Sequence, residues 1–152
     1  MNHNRRRTVL AIDDSRKILA TVKYFLKDQG YLVKTRSDPA RGIRVAQKGN
    51  VDLILLDIIM PKMDGYAVFD ALKQDPRTCE IPVVMLTART VIWSTPKRFF
   101  FGLYGFLAKP FSKWNLRKVV SEALRMTQSP RKRDQLIPSF DLPTTPGFRK
   151  QS

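Results

Sequence analysis

The chain has 152 residues, 43% of them hydrophobic, which is enough for one domain with a full core and too few for two. Its one cysteine excludes an internal disulfide, and its apolar runs are no longer than strands, so we expect a cytoplasmic protein without membrane insertion. The formal net charge of +15 indicates either contact with polyanions or a merely solvated basic surface.

Five apolar runs of strand length follow one another along the chain, separated by stretches of helical length. Runs bounded in this way predict strands at residues 9–12, 31–35, 53–56, 83–86 and 104–108. Strands that alternate with helices favour a parallel sheet with right-handed crossovers and helices on both faces. We therefore predict an α/β fold, a doubly wound sheet of five parallel strands.

Capping residues mark the ends of the predicted helices. Ser15 is predicted to cap the first helix, which Gly30 closes, and Asp38 to cap the second. The third helix is predicted near residues 64–73, and Ser112 is predicted to cap the last one. Each helix has an apolar stripe that would pack against the sheet.

The stretch between the fourth and fifth predicted strands is less regular. Thr95 as N-cap and Pro96 as first helical residue predict only a short fourth helix, after a long loop that exposes Trp93. Gly102 is predicted to end that helix. Three successive phenylalanines at positions 99–101 cannot all face the core, so at least one is expected to form a contact patch.

Three segments are predicted along the chain. Residues 1–7 form a basic N-terminal arm, and residues 8–126 form the folded domain. Residues 127–152 are rich in proline, carry a basic run and lack both helical and strand periodicity. Such a segment cannot bury much area, so we predict a tail that is disordered or laid on the surface.

Reactive side chains follow the apolar runs at four places. Asp13 and Asp14 follow the first run, Asp57 the third, Thr87 the fourth and Lys109 the fifth. Because ligands bind outside the carboxyl ends of parallel strands, these side chains are expected to converge on one site. The set suits a divalent cation and a phosphoryl group, with one aspartate as acceptor.

Four segments of the chain resemble a known family. VLAIDDS, LILLDIIMPKMDGY, VVMLTA and GFLAKPF, in this order and at these intervals, closely resemble the CheY-like receiver domain of two-component response regulators. The resemblance spans residues 8–126 and implies the flavodoxin-like strand order 2-1-3-4-5. It implies a stand-alone receiver for phosphorelay signal transduction, a phosphoprotein that catalyses only its own phosphoryl transfer and dephosphorylation and is otherwise no enzyme.

The resemblance also implies which residues hold the phosphoryl group and its metal ion. Asp57 matches the phosphoacceptor. Mg²⁺ is then expected to be bound directly by Asp14 and Asp57, largely through water by Asp13, and by the carbonyl of Ile59. Without the cation the clustered carboxylates repel, and one of them tends to take up a proton.

Three further residues complete the expected switch. Lys109 is expected to pair with Asp57 and then with the phosphoryl oxygens, and Thr87 to donate its hydroxyl to the phosphoryl group. Phe106 matches the aromatic switch position and, as phenylalanine, is expected to favour the buried rotamer. The family also has a cis peptide bond at the position of Lys109 and Pro110.

The expected partners follow from the same resemblance. A sensor histidine kinase or a phosphotransfer protein would donate the phosphoryl group. A downstream protein is expected to dock on the face around Trp93, Lys97, Phe106, Lys113 and Arg117.

Two other functions agree with parts of the sequence. The basic residues, including the arm at 5–7, agree with a nucleic-acid-binding module on a receiver scaffold, but this function is not favoured because no helix-turn-helix or RNA-binding signature is present. A haloacid-dehalogenase-type aspartyl-phosphate phosphatase also uses aspartate, threonine, lysine and Mg²⁺. That class requires a second aspartate two residues after the nucleophile, where this chain has Ile59.

Overall fold

The computed structural model describes residues 5–96, 102–126 and 139–140. Strands and helices alternate as the sequence predicts. The strands are β1 (Thr8–Ile12), β2 (Leu32–Arg36), β3 (Leu53–Asp57), β4 (Val83–Ala88), β5 (Leu103–Lys109) and the short β6 (Ser139–Phe140). The helices are α1 (Arg16–Phe25), α2 (Pro39–Gln47), α3 (Gly65–Gln74), α4 (Arg89–Ser94) and α5 (Lys113–Met126). Within the described ranges, no helix has the length and apolar character needed to cross a membrane.

All strands run parallel in one sheet, in the order β2-β1-β3-β4-β5-β6. The α/β class and the order 2-1-3-4-5 are therefore confirmed. The number of strands is corrected, because Ser139 and Phe140 of the predicted tail form a sixth strand on β5. Sheet pairing through backbone groups requires no side-chain periodicity, which is why the sequence pattern did not reveal it. The rest of the tail lies outside the described residues.

Alternation of side chains along the strands divides the core into two layers. One layer lies between the sheet and helices α2, α3 and α4, and its strand residues include Leu10, Ile12, Ile54, Leu56, Val83, Met85 and Phe106. The other lies between the sheet and helices α1 and α5, and its strand residues include Val9, Ala11, Leu53, Leu55, Val84, Leu86 and Leu107. Strands that are buried on both faces read as continuous apolar runs, as they do here.

Side-chain caps fix where the helices begin. Ser15 and Asp38 accept hydrogen bonds from backbone N–H groups of α1 and α2 at 3.3 and 3.0 Å. Asp64 does the same for α3 at 2.8 Å, and Ser112 for α5 at 3.0 Å. The predicted caps at Ser15, Asp38 and Ser112 are thus confirmed, and they fix the first residue of each of these helices.

Helix α4 differs from its prediction. It begins at Arg89, directly after β4, where the sequence pattern predicted a loop. The Thr95 hydroxyl donates a hydrogen bond to the Val91 carbonyl at 2.9 Å, so Thr95 closes α4. Pro96 is not helical. The predicted exposure of the Trp93 side chain and the predicted contact patch at 99–101 lie outside the described residues.

The described part of the basic arm lies against the domain. Arg5 and Arg7 form ion pairs with Asp52 at 2.8 and 3.9 Å. Arg6 donates a hydrogen bond to the Tyr31 carbonyl at 3.0 Å, and the Thr8 N–H donates to the other Asp52 oxygen at 2.8 Å. The arginines therefore anchor the chain where it enters β1, at the edge of the sheet opposite the predicted site.

Candidate functional site

The carboxyl edge of the sheet brings the predicted residues together. Asp13 directly follows β1, Asp57 ends β3, Thr87 is the second-last residue of β4 and Lys109 ends β5. These strands are neighbours in the order β1-β3-β4-β5, and Asp57 lies level with Leu86, one position before Thr87. Consecutive parallel strands that end together thus supply every charged group of the site.

Three carboxylates form the centre of this cluster. One oxygen each from Asp13, Asp14 and Asp57 lies within 4.8 Å of the other two. Asp13 is fully buried, Asp57 is 5% exposed and Asp14 is exposed. Three carboxylate oxygens in a partly open pocket are the donors that Mg²⁺ prefers, and the open side leaves room for the waters that it retains. The residues present therefore fit a divalent cation.

Lys109 joins two of these carboxylates. Its Nζ lies 2.7 Å from Asp13 Oδ2 and 3.3 Å from Asp57 Oδ1. The expected pair with Asp57 is present, but the shorter contact is with Asp13. Asp13 also accepts a hydrogen bond from the Ser15 N–H at 2.9 Å, so both of its oxygens are engaged. Asp13 thereby positions the lysine beside the acceptor.

The environment of Asp57 favours its protonated form. Burial of the carboxyl group and the nearby charge of Asp13 raise its pKa from 3.8 to about 7, against the opposing effect of Lys109. Near neutral pH a proton on Asp57 therefore competes with any cation in the pocket. This agrees with the expectation that, without a metal ion, one of the clustered carboxylates takes up a proton.

Thr87 and Phe106, the two residues of the expected switch, are both buried in neighbouring strands. Thr87 is 1% exposed and lies at the end of β4, level with Ala108 of β5. Phe106 is 2% exposed and lies level with Met85. The expected buried position of the Phe106 ring is therefore observed. The peptide bond between Lys109 and Pro110 is cis, as the resemblance implies.

The turn after the acceptor is held close to the strand end. The Ile59 N–H donates a hydrogen bond to Asp57 Oδ1 at 3.3 Å, and the Ile59 side chain is 63% exposed beside it. The Gly65 N–H donates to the Ile58 carbonyl at 2.6 Å, which brings the start of α3 onto the backbone of this turn. A Cβ atom at Gly65 would lie 2.6 Å from Ile58 Cα, so glycine is needed here.

We predict that Gly65→Ala lowers the melting temperature more than Gly42→Ala. At Gly65 the new methyl group meets backbone atoms, which cannot turn away, and overpacking of this kind costs about 1–3 kcal/mol. At Gly42 it meets the buried Ile12 side chain, with Cδ1 at 2.6 Å and Cγ1 at 2.7 Å, but a side chain can shift more readily than backbone, and alanine regains about 1 kcal/mol of helix propensity. Thermal unfolding of both variants tests this, and equal losses would contradict the close-approach role of Gly65.

The predicted docking face is only partly described. Phe106 is buried, and Arg117 donates hydrogen bonds to the carbonyls of Phe25 and Lys27 at 2.8 and 3.4 Å, which ties α5 to the end of α1. Lys113 is exposed, with its Nζ 5.6 Å from the centre of the Tyr24 ring. The Trp93 side chain and Lys97 lie outside the described residues.

Two basic residues near Asp14 were not singled out from the sequence. A cleft next to Asp14 is lined by Arg16, Met60 and Lys62, among others. Lys62 lies 3.7 Å from Asp38 and is largely exposed. Their positions shortly after the Asp13–Asp14 pair and directly after Pro61 could have indicated them. Asp14 and Asp38 line the same cleft, so its basic side chains lie beside acidic ones.

The chain is similar in sequence to a known protein family and to curated proteins. The family model described as the response regulator receiver domain matches residues 9–121. The master transcriptional regulator RpaA of Synechocystis is 38% identical over 119 residues, which cover 78% of this chain and 49% of RpaA. The regulatory protein PhoP of Bacillus subtilis is 32% identical over 120 residues, covering 79% of this chain and 49% of PhoP. The chain thus spans about half the length of these curated relatives.

Solved structures show the same fold. The chemotaxis response regulator CheY4 of Vibrio cholerae is 34% identical and has a TM-score of 0.71, with 79% of this chain and 100% of that chain covered. NtrX of Brucella abortus, crystallised with ADP, is 28% identical and has a TM-score of 0.75, with 87% of this chain and 30% of that chain covered.

Proposed function

The chain belongs to the response regulator receiver domain family, and on that premise we propose that it is a switch phosphorylated on Asp57. One observation carries the proposal. The Asp57 carboxylate ends a central strand, lies in a cluster with two other carboxylates and is 3.3 Å from the ammonium group of Lys109. An acceptor, a cation site and a positive charge for the phosphoryl oxygens are then within reach of one another.

In the proposed reaction an Asp57 oxygen attacks the phosphorus of a donor. The donor is a phosphohistidine of a sensor histidine kinase or phosphotransfer protein, or a small acyl phosphate. A bond forms between the aspartate oxygen and phosphorus, the bond from phosphorus to the donor breaks, and its electron pair leaves with the donor. Such transfers depend mainly on positioning and on neutralisation of charge.

Four residues would hold Mg²⁺ in this proposal. Asp14 and Asp57 would bind it directly, Asp13 largely through water, and Ile59 through its carbonyl oxygen. When bound, Mg²⁺ supplies positive charge that offsets repulsion among the carboxylates and on the phosphoryl oxygens. Both oxygens of Asp13 already accept hydrogen bonds, from Lys109 and Ser15, which supports binding of Mg²⁺ by Asp13 through water.

The switch itself would use the ends of β4 and β5. Lys109 would contact a phosphoryl oxygen as a point charge on a flexible stem, and the Thr87 hydroxyl would donate a hydrogen bond to another. Movement of Thr87 would be accommodated by Phe106, whose ring is already buried. New charge-assisted hydrogen bonds of this kind favour one of two packings, which is how phosphorylation becomes a signal.

The proposal is tested with acetyl phosphate as donor. We expect the intact protein to gain one alkali-labile phosphoryl group in the presence of Mg²⁺ and none in excess chelator. Fragmentation should map the label to the peptide that contains Asp57. A label on serine, threonine or histidine, or equal labelling in chelator, would refute the receiver chemistry.

We predict that Ile59→Asn shortens the lifetime of the phosphorylated protein. Ile59 stands two residues after the acceptor, with its N–H bonded to Asp57 Oδ1, and its apolar side chain can exclude water but cannot orient it. An asparagine amide could align an attacking water, and positioning of the nucleophile is a large part of phosphoryl-transfer catalysis. Decay of the label after donor removal should be about tenfold faster in the variant.

Met63→Asn provides the control for this prediction. Met63 is an apolar, 36% exposed residue of the same turn, but it is not two residues from the acceptor. Its variant should lose the label at the rate of the unmodified chain. Equal decay in all three proteins would show that Ile59 serves only as packing for the turn.

The two alternative functions receive less support. Membership of the receiver family and Ile59 at the place of the second aspartate disfavour the phosphatase. For the nucleic-acid module, Arg5 and Arg7 are paired with Asp52, and Arg117 is bound to carbonyls of α1. These residues carry structural contacts, so we do not propose nucleic-acid binding as a second function.

A further inference from the structure

The outer edge of β5 is covered by the chain's own C-terminal segment. β5 pairs with β4 from Leu103 to Lys109 along its inner edge. Along its outer edge, β6 pairs with it in parallel, with Ser139 level with Gly105 and Phe140 level with Phe106. Among the residues that the structure describes, no other strand pairs with this outer edge.

At this edge, a partner would bind the backbone groups of β5. Residues Leu103 to Leu107 are all buried, so their side chains are committed to the core. An edge strand nevertheless presents N–H and C=O groups that bind an extended segment, and uncovered edges of this kind recruit other chains. The outer edge of β5 is therefore a surface that accepts a strand.

Chain order makes the segment a natural occupant of this edge. β5 is followed by α5 and then by β6, which is the strand–helix–strand arrangement that delivers a parallel neighbour. The segment is tethered by the residues between Met126 and Ser139, and short tethers give effective concentrations in the millimolar range. In the sequence LIPSFDLP a proline stands on each side of Phe140, and proline cannot donate a backbone hydrogen bond to a neighbouring strand.

We propose that β6 is a tethered ligand of the β5 edge, bound within the same molecule, which any partner that adds a strand there must displace. In the unphosphorylated chain, occupancy of the edge does not depend on the proposed phosphoryl chemistry. Its use as a signal rests on the proposed function, because β6 pairs at Phe106, the residue at the switch position. A change in the position of Phe106 would then alter the stability of the pairing between β5 and β6.

Hydrogen exchange of the full-length protein tests the occupancy. Ser139→Pro combined with Phe140→Pro removes both backbone donors of β6, while Thr144→Pro combined with Thr145→Pro adds as many prolines to the same tail outside it. The β5 amides that point away from β4 should exchange several-fold faster in the first variant only. Equal exchange in both variants and the unmodified chain would overturn the proposal.

A peptide experiment tests whether the edge accepts a strand. A synthetic peptide of residues 134–143, added at millimolar concentration to the β6 double variant, should restore protection of β5. It should have little effect on the unmodified chain, whose edge is occupied. Absence of protection in the variant would show that the edge does not receive an extended segment.

Sedimentation separates binding within one molecule from exchange between two copies. We expect a monomer whose β5 protection does not depend on protein concentration. A dimer that loses protection on dilution would overturn the intramolecular assignment. Each of these measurements is made without a phosphoryl donor, so failure of the phosphoryl chemistry would leave the result intact.

Discussion

Asp57→Asn is expected to abolish phosphoryl incorporation from acetyl phosphate, while the fold remains intact. The amide has nearly the shape of the carboxyl group but lacks the nucleophilic oxygen that the reaction requires. Intact mass spectrometry in the presence of Mg²⁺ would show a labelled fraction for the unmodified chain and none for the variant.

Asp64→Asn is the matched control for this loss. Asp64 caps α3 by accepting a hydrogen bond from the Ala67 N–H at 2.8 Å, and asparagine caps helices about as well as aspartate. This variant should incorporate the phosphoryl group normally. Residual labelling of the Asp57 variant at the level of the control would identify another acceptor.

Comparison of the Asp57→Asn variant with the unmodified chain should also reveal the raised pKa of Asp57, as a difference in the free energy of unfolding that depends on pH. Since the pKa of Asp57 is raised to about 7 in the folded chain, the folded state retains a proton that the unfolded state releases above 3.8. The stability of the unmodified, metal-free chain therefore falls relative to the asparagine variant as pH rises from about 4 to about 7, by at most about 1.4 kcal/mol per pH unit.

Thermal unfolding in chelator, at several pH values, measures this difference. The advantage of Asp57→Asn in melting temperature should grow up to about pH 7, level off above it and shrink when Mg²⁺ is added. Groups that titrate alike in both proteins cancel in the comparison. A difference that is constant across this range would show that the acceptor is ionised in the folded, metal-free chain.

Lys109→Met is expected to produce the second large effect, a loss of about 100-fold in the rate of phosphorylation. Its ammonium group lies 2.7 Å from Asp13 and 3.3 Å from Asp57. The positive charge of Lys109 lowers the pKa of Asp57, so this pKa rises further when the charge is removed. The phosphoryl oxygens also lose a contact. Asp13 also stays buried without its partner, which should cost about 3 kcal/mol of stability.

Lys113→Met separates this effect from a general loss of charge. Lys113 is exposed on α5 and lies over the Tyr24 ring, away from the carboxylates. Its variant should be phosphorylated at the normal rate. Raising the pH should increase the ionised fraction of Asp57 in the Lys109 variant without restoring the rate. Full recovery of the rate at higher pH would show that Lys109 acts only by lowering the pKa of Asp57.

The sequence predicted most of the fold because most of it depends on local patterns. Continuous apolar runs identified the strands, and Ser15, Asp38 and Ser112 identified the helix starts. The strand order came from the family resemblance, since nothing in a single run says which neighbour it will pair with. β6 and the pairing of Arg5 with Asp52 were missed because both join residues far apart in the chain.

The site was predicted as a set of residues but not as a geometry. Strand ends placed Asp13, Asp57 and Lys109 at one edge, as the pattern requires. That Lys109 lies closer to Asp13 than to Asp57 depends on differences of less than an ångström, to which sequence spacing is insensitive. The start of α4 was misplaced because the hydroxyl of Thr95 can close a helix as readily as open one.

Alternation along the strands also makes the molecule two-sided. Met85 and Phe106 belong to the core layer under α2, α3 and α4, and by alternation Thr87 faces the same side. The layer under α1 and α5 contains neither residue. Under the proposed function, a movement that starts at Thr87 and ends at Phe106 would therefore stay on one side of the sheet. The surface formed by α2, α3 and α4 would then respond to phosphorylation of Asp57, and the surface formed by α1 and α5 would not.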